Sequence, residues 1–277
     1  MRFKDLLVVV DRFPATDNRI EVAAELAREN DAHLAALFVL PIPEPRVEPP
    51  ISLAEQMIEH CIREEQEHAH RVRKKFEAAV ERCGIKGEWR TDGGLAAVEV
   101  AKHTRYVDVV LVGSRDPNAR TPPMPPLLPE DVALSAGRPV LVVPPSTGPK
   151  IGKRIVVAWN ASREATRAVN DALPLLLRAA VVTVVVINPS DDIVSVHGED
   201  PGTDIAVHLA RHGVNAEVKC LRTQKSESAM LLSTATEAGA NLIVMGAYGH
   251  TRTRELILGG MTRDLLLQTA MPVFMSH

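Results

Sequence analysis

Lys4–Asp11 reads KDLLVVVD, and Lys153–Asn160, 149 residues later, reads KRIVVAWN. The likeness does not stop there. Leu40-Pro41 falls on Asn188-Pro189 at an offset of 148, and Arg90-Thr91 falls on Arg222-Thr223 at 132. VDVVLVG ending at Gly113 matches ANLIVMG ending at Gly246 at 133, and RPVLVV matches MPVFMS at the same offset, with Pro139 on Pro272. The chain is a repeat of itself, and the second copy lacks 16 residues between its second and third strands. A period this long is a whole domain rather than a solenoid unit.

Each copy reads as five strands alternating with helices. The strands are short apolar runs: LLVVV, HLAALFV, DVVLV and PVLVV in the first copy, and RIVVAW, VVTVVVI, AEVKCL, NLIVM and PVFM in the second. Bare runs of this kind, separated by amphipathic helical segments, belong to parallel strands covered on both faces. Helices are expected over Asn18 to Glu29, Ser52 to Cys83, Arg163 to Arg178, Asp204 to His212 and Ser226 to Ala238, the 16-residue deficit falling on the second of these. The fold class is α/β: two tandem doubly wound, mainly parallel five-stranded sheets over 1–145 and 152–277, joined by PPSTGPKIG from Pro144. The terminal strands PVLVV and PVFMS are the natural edges along which the copies pack as a pseudo-dimer, with a further homodimer as an added expectation.

Composition excludes several classes. With 277 residues, 45% hydrophobic and 24% charged, the chain has ample core and needs no disulfide staples. A net charge of −3 without a long basic block leaves no electrostatic footprint for nucleic acid. No apolar stretch approaches the ~20 residues of a membrane span, and MRFKD runs straight into the first strand, so a cytoplasmic protein is expected. Cys61, Cys83 and Cys220 are too scattered for a disulfide framework and read as buried or inert thiols.

A doubly wound sheet takes ligands beyond the carboxyl ends of its strands where the winding reverses, which points to the loops after strands one and four of each copy. The second copy has GAYGHTRTRELILGG there, with Gly246, Gly249, Gly259 and Gly260 at a strand-to-helix junction. Glycines let backbone approach a phosphate, and the N–H groups opening the next helix add donors and a positive dipole end. A single glycine would equally serve a turn. The spacing of glycine, two residues, glycine, nine residues, glycine resembles the universal stress proteins, and the resemblance covers both copies.

That resemblance implies an adenine-nucleotide α-hydrolase-like fold and ATP, with Mg2+, held between the loops after strands one and four. Carried over residue by residue, Ala158 and Asn160 would meet the nucleoside, Ile187 would lie beside the adenine, and Met245, Gly246, Tyr248, Gly249, Gly259, Gly260 and Met261 would surround ribose and phosphates. The family's closing serine or threonine is Gly260 here, with Thr262 two residues on. Asn160 stands where many relatives carry aspartate; an amide both donates and accepts, and the plainer reading is a turn residue before Ser162. His250 could donate to a phosphate or face solvent.

The first copy keeps Asp11, but Gly249, Gly259 and Gly260 become Asp116, Pro126 and Leu127, within a stretch carrying six prolines. Prolines remove N–H donors and Asp116 repels phosphate, so this copy reads as a degenerate one. Two histidine rows at helical spacing, Asp204-His208-His212 and His60-Glu64-His68, read as solvated faces rather than metal sites. No Walker loop, nucleophile elbow or kinase signature is present. The leading expectation is therefore a nucleotide-dependent regulatory or protective module in stress response. Its rivals are a slow ATPase or phosphotransferase in the same pocket, and an interaction scaffold without nucleotide.

Overall fold

The computed structural model describes residues 2–40, 51–114, 127–189, 202–248 and 260–277. The first half runs β1 (Asp5–Val10), α1 (Ala15–Asn30), β2 (His33–Leu40), α2 (Ile51–Cys83), β3 (Gly87–Gly93), α3 (Ala96–His103), β4 (Val109–Gly113), α4 (Pro129–Ser135) and β5 (Val140–Val143). The second runs β6 (Arg154–Ala158), α5 (Arg163–Asp171), α6 (Leu173–Leu176), β7 (Val181–Ile187), α7 (Thr203–Arg211), β8 (Ala216–Leu221), α8 (Glu227–Glu237), β9 (Leu242–Gly246), α9 (Gly260–Gln268) and β10 (Val273–Ser276).

All ten strands form one sheet, ordered β3-β2-β1-β4-β5-β10-β9-β6-β7-β8. Each half is parallel throughout, and its order reverses between its first and fourth strands. The halves join where β5 runs antiparallel to β10, Leu141 facing Phe274 and Val142 facing Val273. The edges that PVLVV and PVFMS would otherwise expose are thereby paired inside one chain.

Alternation along the strands sorts the core onto two faces. Leu6, Val8 and Val10 of β1, Ile155 and Val157 of β6, Leu242 and Val244 of β9, and Phe274 of β10 face α1, α5, α6 and α7. Leu7, Val9, Val156, Ile243, Met245, Val273 and Met275 face the other way, against α3, α4, α8 and α9. Both faces run unbroken across the two halves, so the duplicated units share their core.

Three details differ from expectation. The helix expected over Arg163 to Arg178 ends at Asp171 and restarts at Leu173, because Pro174 has no N–H to continue the ladder and its ring crowds the preceding turn. β3, the outermost strand of the first half, is largely polar and half-exposed, and its Trp89 packs on Phe38 and on Phe76 from α2. Cys220 is exposed and Cys83 half-buried, so of the two alternatives, buried or inert, neither of these thiols is the buried one: Cys220 lies near the end of β8, the opposite edge strand. Among the described residues no helix is long and apolar enough to cross a membrane.

Candidate functional site

The second half's switch point lies between β6 and β9, where Ala158 faces Met245 in register. Ala158, Ile187, Met245, Tyr248 and Met261 all pack on the same side of the sheet, against the cluster built by α8 and α9, and Thr262 is buried in the first turn of α9. The structure thus brings together the residues expected from β6, β7, β9 and α9. Asn160 is exposed, and its Oδ1 accepts a hydrogen bond from the Ser162 N–H at 3.2 Å. It closes the turn that leads into α5, where Ser162 caps the helix by accepting from the Ala165 N–H at 3.1 Å. The plainer reading of Asn160 therefore describes what its carbonyl does. Gly249, His250 and Gly259 lie outside the described residues, as do Asp116 and Pro126 of the first half.

Gly246 has a role that its motif position does not reveal. A β-carbon there would stand 2.5 Å from the Ala165 nitrogen and 2.6 Å from the Glu164 carbonyl carbon, so the opening turn of α5 rests directly on the end of β9. No side chain larger than hydrogen fits against those backbone atoms. Gly260 is the opposite case, with nothing within 4 Å of its would-be β-carbon, at the exposed first position of α9. The first N–H groups of an α-helix have no intrahelical partners, and those of α9 begin at Gly260.

Backbone strain concentrates here. Four non-glycine residues among those described adopt positive φ, and three of them, Ala161 at 56°, Asn188 at 46° and Tyr248 at 60°, follow the carboxyl ends of β6, β7 and β9. The first-half counterparts Arg12 and Leu40 do not. Left-handed backbone at non-glycine residues costs energy and persists where the surroundings enforce it, often beside ligands. Asn188 shows the enforcement. Its Nδ2 donates to the Thr223 carbonyl and to Glu227 Oε1, both at 3.0 Å, and its Oδ1 accepts from the Thr223 N–H at 2.8 Å. That pins the end of β7, and Ile187 with it, to the loop after β8. Sequence reading placed Asn188-Pro189 only as a repeat marker; an amide directly after a buried strand, where the first copy has Leu40, was the available signal.

Trp159 packs on the α5 and α6 side of the sheet, opposite Ala158, as the alternation along β6 requires. The other candidate clusters are local. The His208 and His212 rings lie 4.7 Å apart, and His60 approaches Glu64 at 3.4 Å on an exposed face of α2. Among the described residues no three His, Cys, Asp or Glu side chains converge as metal ligands.

A doubly wound sheet duplicated within one chain, with a switch point in each half, defines a fused pair of α/β domains. The Universal stress protein family model matches residues 2–144 and again 152–277, and the chain belongs to that family as a tandem two-domain member. A universal stress protein from Archaeoglobus fulgidus DSM 4304 has a similar structure, with a TM-score of 0.75 at 19% identity, covering 98% of this chain and 97% of that one. A functionally unknown protein from Pseudomonas aeruginosa PAO1 aligns with a TM-score of 0.60 at 16% identity, covering 98% of this chain and 92% of that one. At such identities the likeness is one of fold. No curated protein matches the sequence.

Proposed function

We propose that the chain binds one adenine nucleotide, ATP with Mg2+, in the crevice of its second half, and serves in stress response as a nucleotide-dependent regulatory or protective module. The observation that carries this reading is the gathering of Ala158, Ile187, Met245, Tyr248 and Met261 on one face, at the ends of strands whose exits are held in left-handed backbone. The apolar side chains offer a shelf for a flat base, the Asn160 amide stands exposed at its mouth, and the opening N–H groups of α9 supply donors for phosphate. The glycine spacing from Gly246 through Gly249 to Gly259 supports the phosphate end of the reading. The motif residues assemble no nucleophile, base and orienting acid, so we read the site as one of binding without turnover. Thermal denaturation with and without MgATP tests it. Binding to the native state adds about 2.7 kcal/mol at a hundredfold excess over Kd, a rise in Tm of several degrees. An unchanged Tm at millimolar MgATP would refute the reading.

A further inference from the structure

The first half has the same switch point, between β1 and β4, and a side chain stands in it. Arg19, in the second turn of α1, is 2% exposed. Its Nη2 donates to Asp11 Oδ2 and to Thr16 Oγ1, both at 2.7 Å. Thr16 Oγ1 donates in turn to Asp11 Oδ1, which also accepts the Phe13 N–H at 2.9 Å. The Nη1 side of the guanidinium lies against Gly113 at the end of β4, where a β-carbon would come within 2.0 Å of it. The guanidinium therefore bridges the exits of β1 and β4, the place where this fold takes a ligand.

The repeat shows that this is particular to one half. Asp11, Thr16, Arg19 and Gly113 correspond to Asn160, Ala165, Ala168 and Gly246. None of the second-half counterparts is charged, and Ala168 is a fully buried methyl. A buried arginine is costly to desolvate and persists only where a carboxylate and further acceptors meet it. Asp11, with 37% of its side chain exposed, provides the carboxylate at the mouth. Nε of Arg19 has no hydrogen-bond partner among the described residues. The site spends charge on filling its crevice rather than on completing every bond.

We propose that Arg19 is a built-in cationic occupant of the first half's ligand crevice: the guanidinium fills the space over Gly113 and neutralises Asp11, so this half is closed by its own side chain and holds its fold without ligand. The crevice, emptied, is selective for a small planar cation with N–H donors, matching the shape and charge of the group removed.

Full-length Arg19→Ala and Arg19→Met are compared with the parent by thermal denaturation, without nucleotide, in methylguanidinium chloride at low millimolar concentration. The readout is thus independent of whether the second half binds ATP. Both variants should melt several degrees lower. Methylguanidinium should restore Arg19→Ala saturably and leave unmoved both the parent and Arg19→Met, whose side chain still fills the space; sodium chloride at equal ionic strength should restore nothing. Gly113→Ala provides a second readout. It should destabilise the parent, where the new methyl meets Nη1, and should be neutral or stabilising in the Arg19→Ala background. Arg19→Ala melting with the parent, recovery absent or equal for sodium and methylguanidinium, or the same Gly113→Ala penalty in both backgrounds would overturn the proposal.

Discussion

Glu29 and Arg178 occupy the same position of the repeat, 149 residues apart, and they form an ion pair with each other. A position that touches its own copy lies at the pseudo-twofold axis. Leu141 and Phe274, equivalent at the offset of 133, face each other across the β5 and β10 junction for the same reason. In a dimer of identical single domains an axial glutamate would meet a glutamate. Duplication within one chain allowed the two to diverge into opposite charges.

Charge exchange at the axis is therefore the first prediction. Glu29→Arg and Arg178→Glu should each destabilise the full chain by about 0.5–1 kcal/mol, the range for partly exposed pairs plus the new like-charge contact. The double exchange should recover most of that loss. A double-mutant cycle by chemical denaturation checks it, and strict additivity would show that the pair does not interact.

The two ends of the glycine pattern should separate. Gly246→Ala places a methyl against backbone atoms of Glu164 and Ala165, which cannot turn aside, and should cost about 1–3 kcal/mol with or without nucleotide. Gly260→Ser enters open space at the start of α9 and should leave stability within about 0.5 kcal/mol, while restoring the hydroxyl typical of the family and tightening ATP binding. Equal destabilisation by both substitutions would contradict this division.

Nucleotide binding should be visible through tryptophan without turnover. Trp159 lies behind Ala158 on the far face of β6, so it senses the crevice through the sheet, while Trp89 packs at the outer edge of the other half. Titration of MgATP into Trp89→Phe should give a saturable fluorescence change. Phosphate release from the same sample should stay far below the median enzyme kcat of ~10 s⁻¹. Rapid release abolished by His250→Ala would favour an enzyme.

Much of this architecture was legible in the sequence because burial on both faces leaves parallel strands almost no polar residues. β1, β2, β4, β6, β7 and β9 announce themselves for that reason. β3 does not: GEWRTDG is an edge strand that buries little beyond Trp89, so no apolar run marks it. The break at Ala172 was available in Pro174 and was outweighed by the apolar pattern continuing through LPLLL. Arg19 was hidden because a charge in a helix reads as solvated surface. Its place beside Thr16 on the row of Ile20 and Ala23, residues that are buried against the sheet, was the signal that it points inward. The apolar part of the candidate site was legible only through the family resemblance, whereas the asymmetry of strain between the halves depends on backbone angles that composition does not encode.

The most direct test of the central claim is calorimetric titration of MgATP into the full chain and into Gly249→Asp, which places a carboxylate in the glycine loop of the second half alone. One nucleotide per chain, lost in Gly249→Asp while the variant keeps the parent's Tm measured without nucleotide, is the predicted result. Two equivalent sites, binding that survives the substitution, or no heat at millimolar MgATP would contradict it.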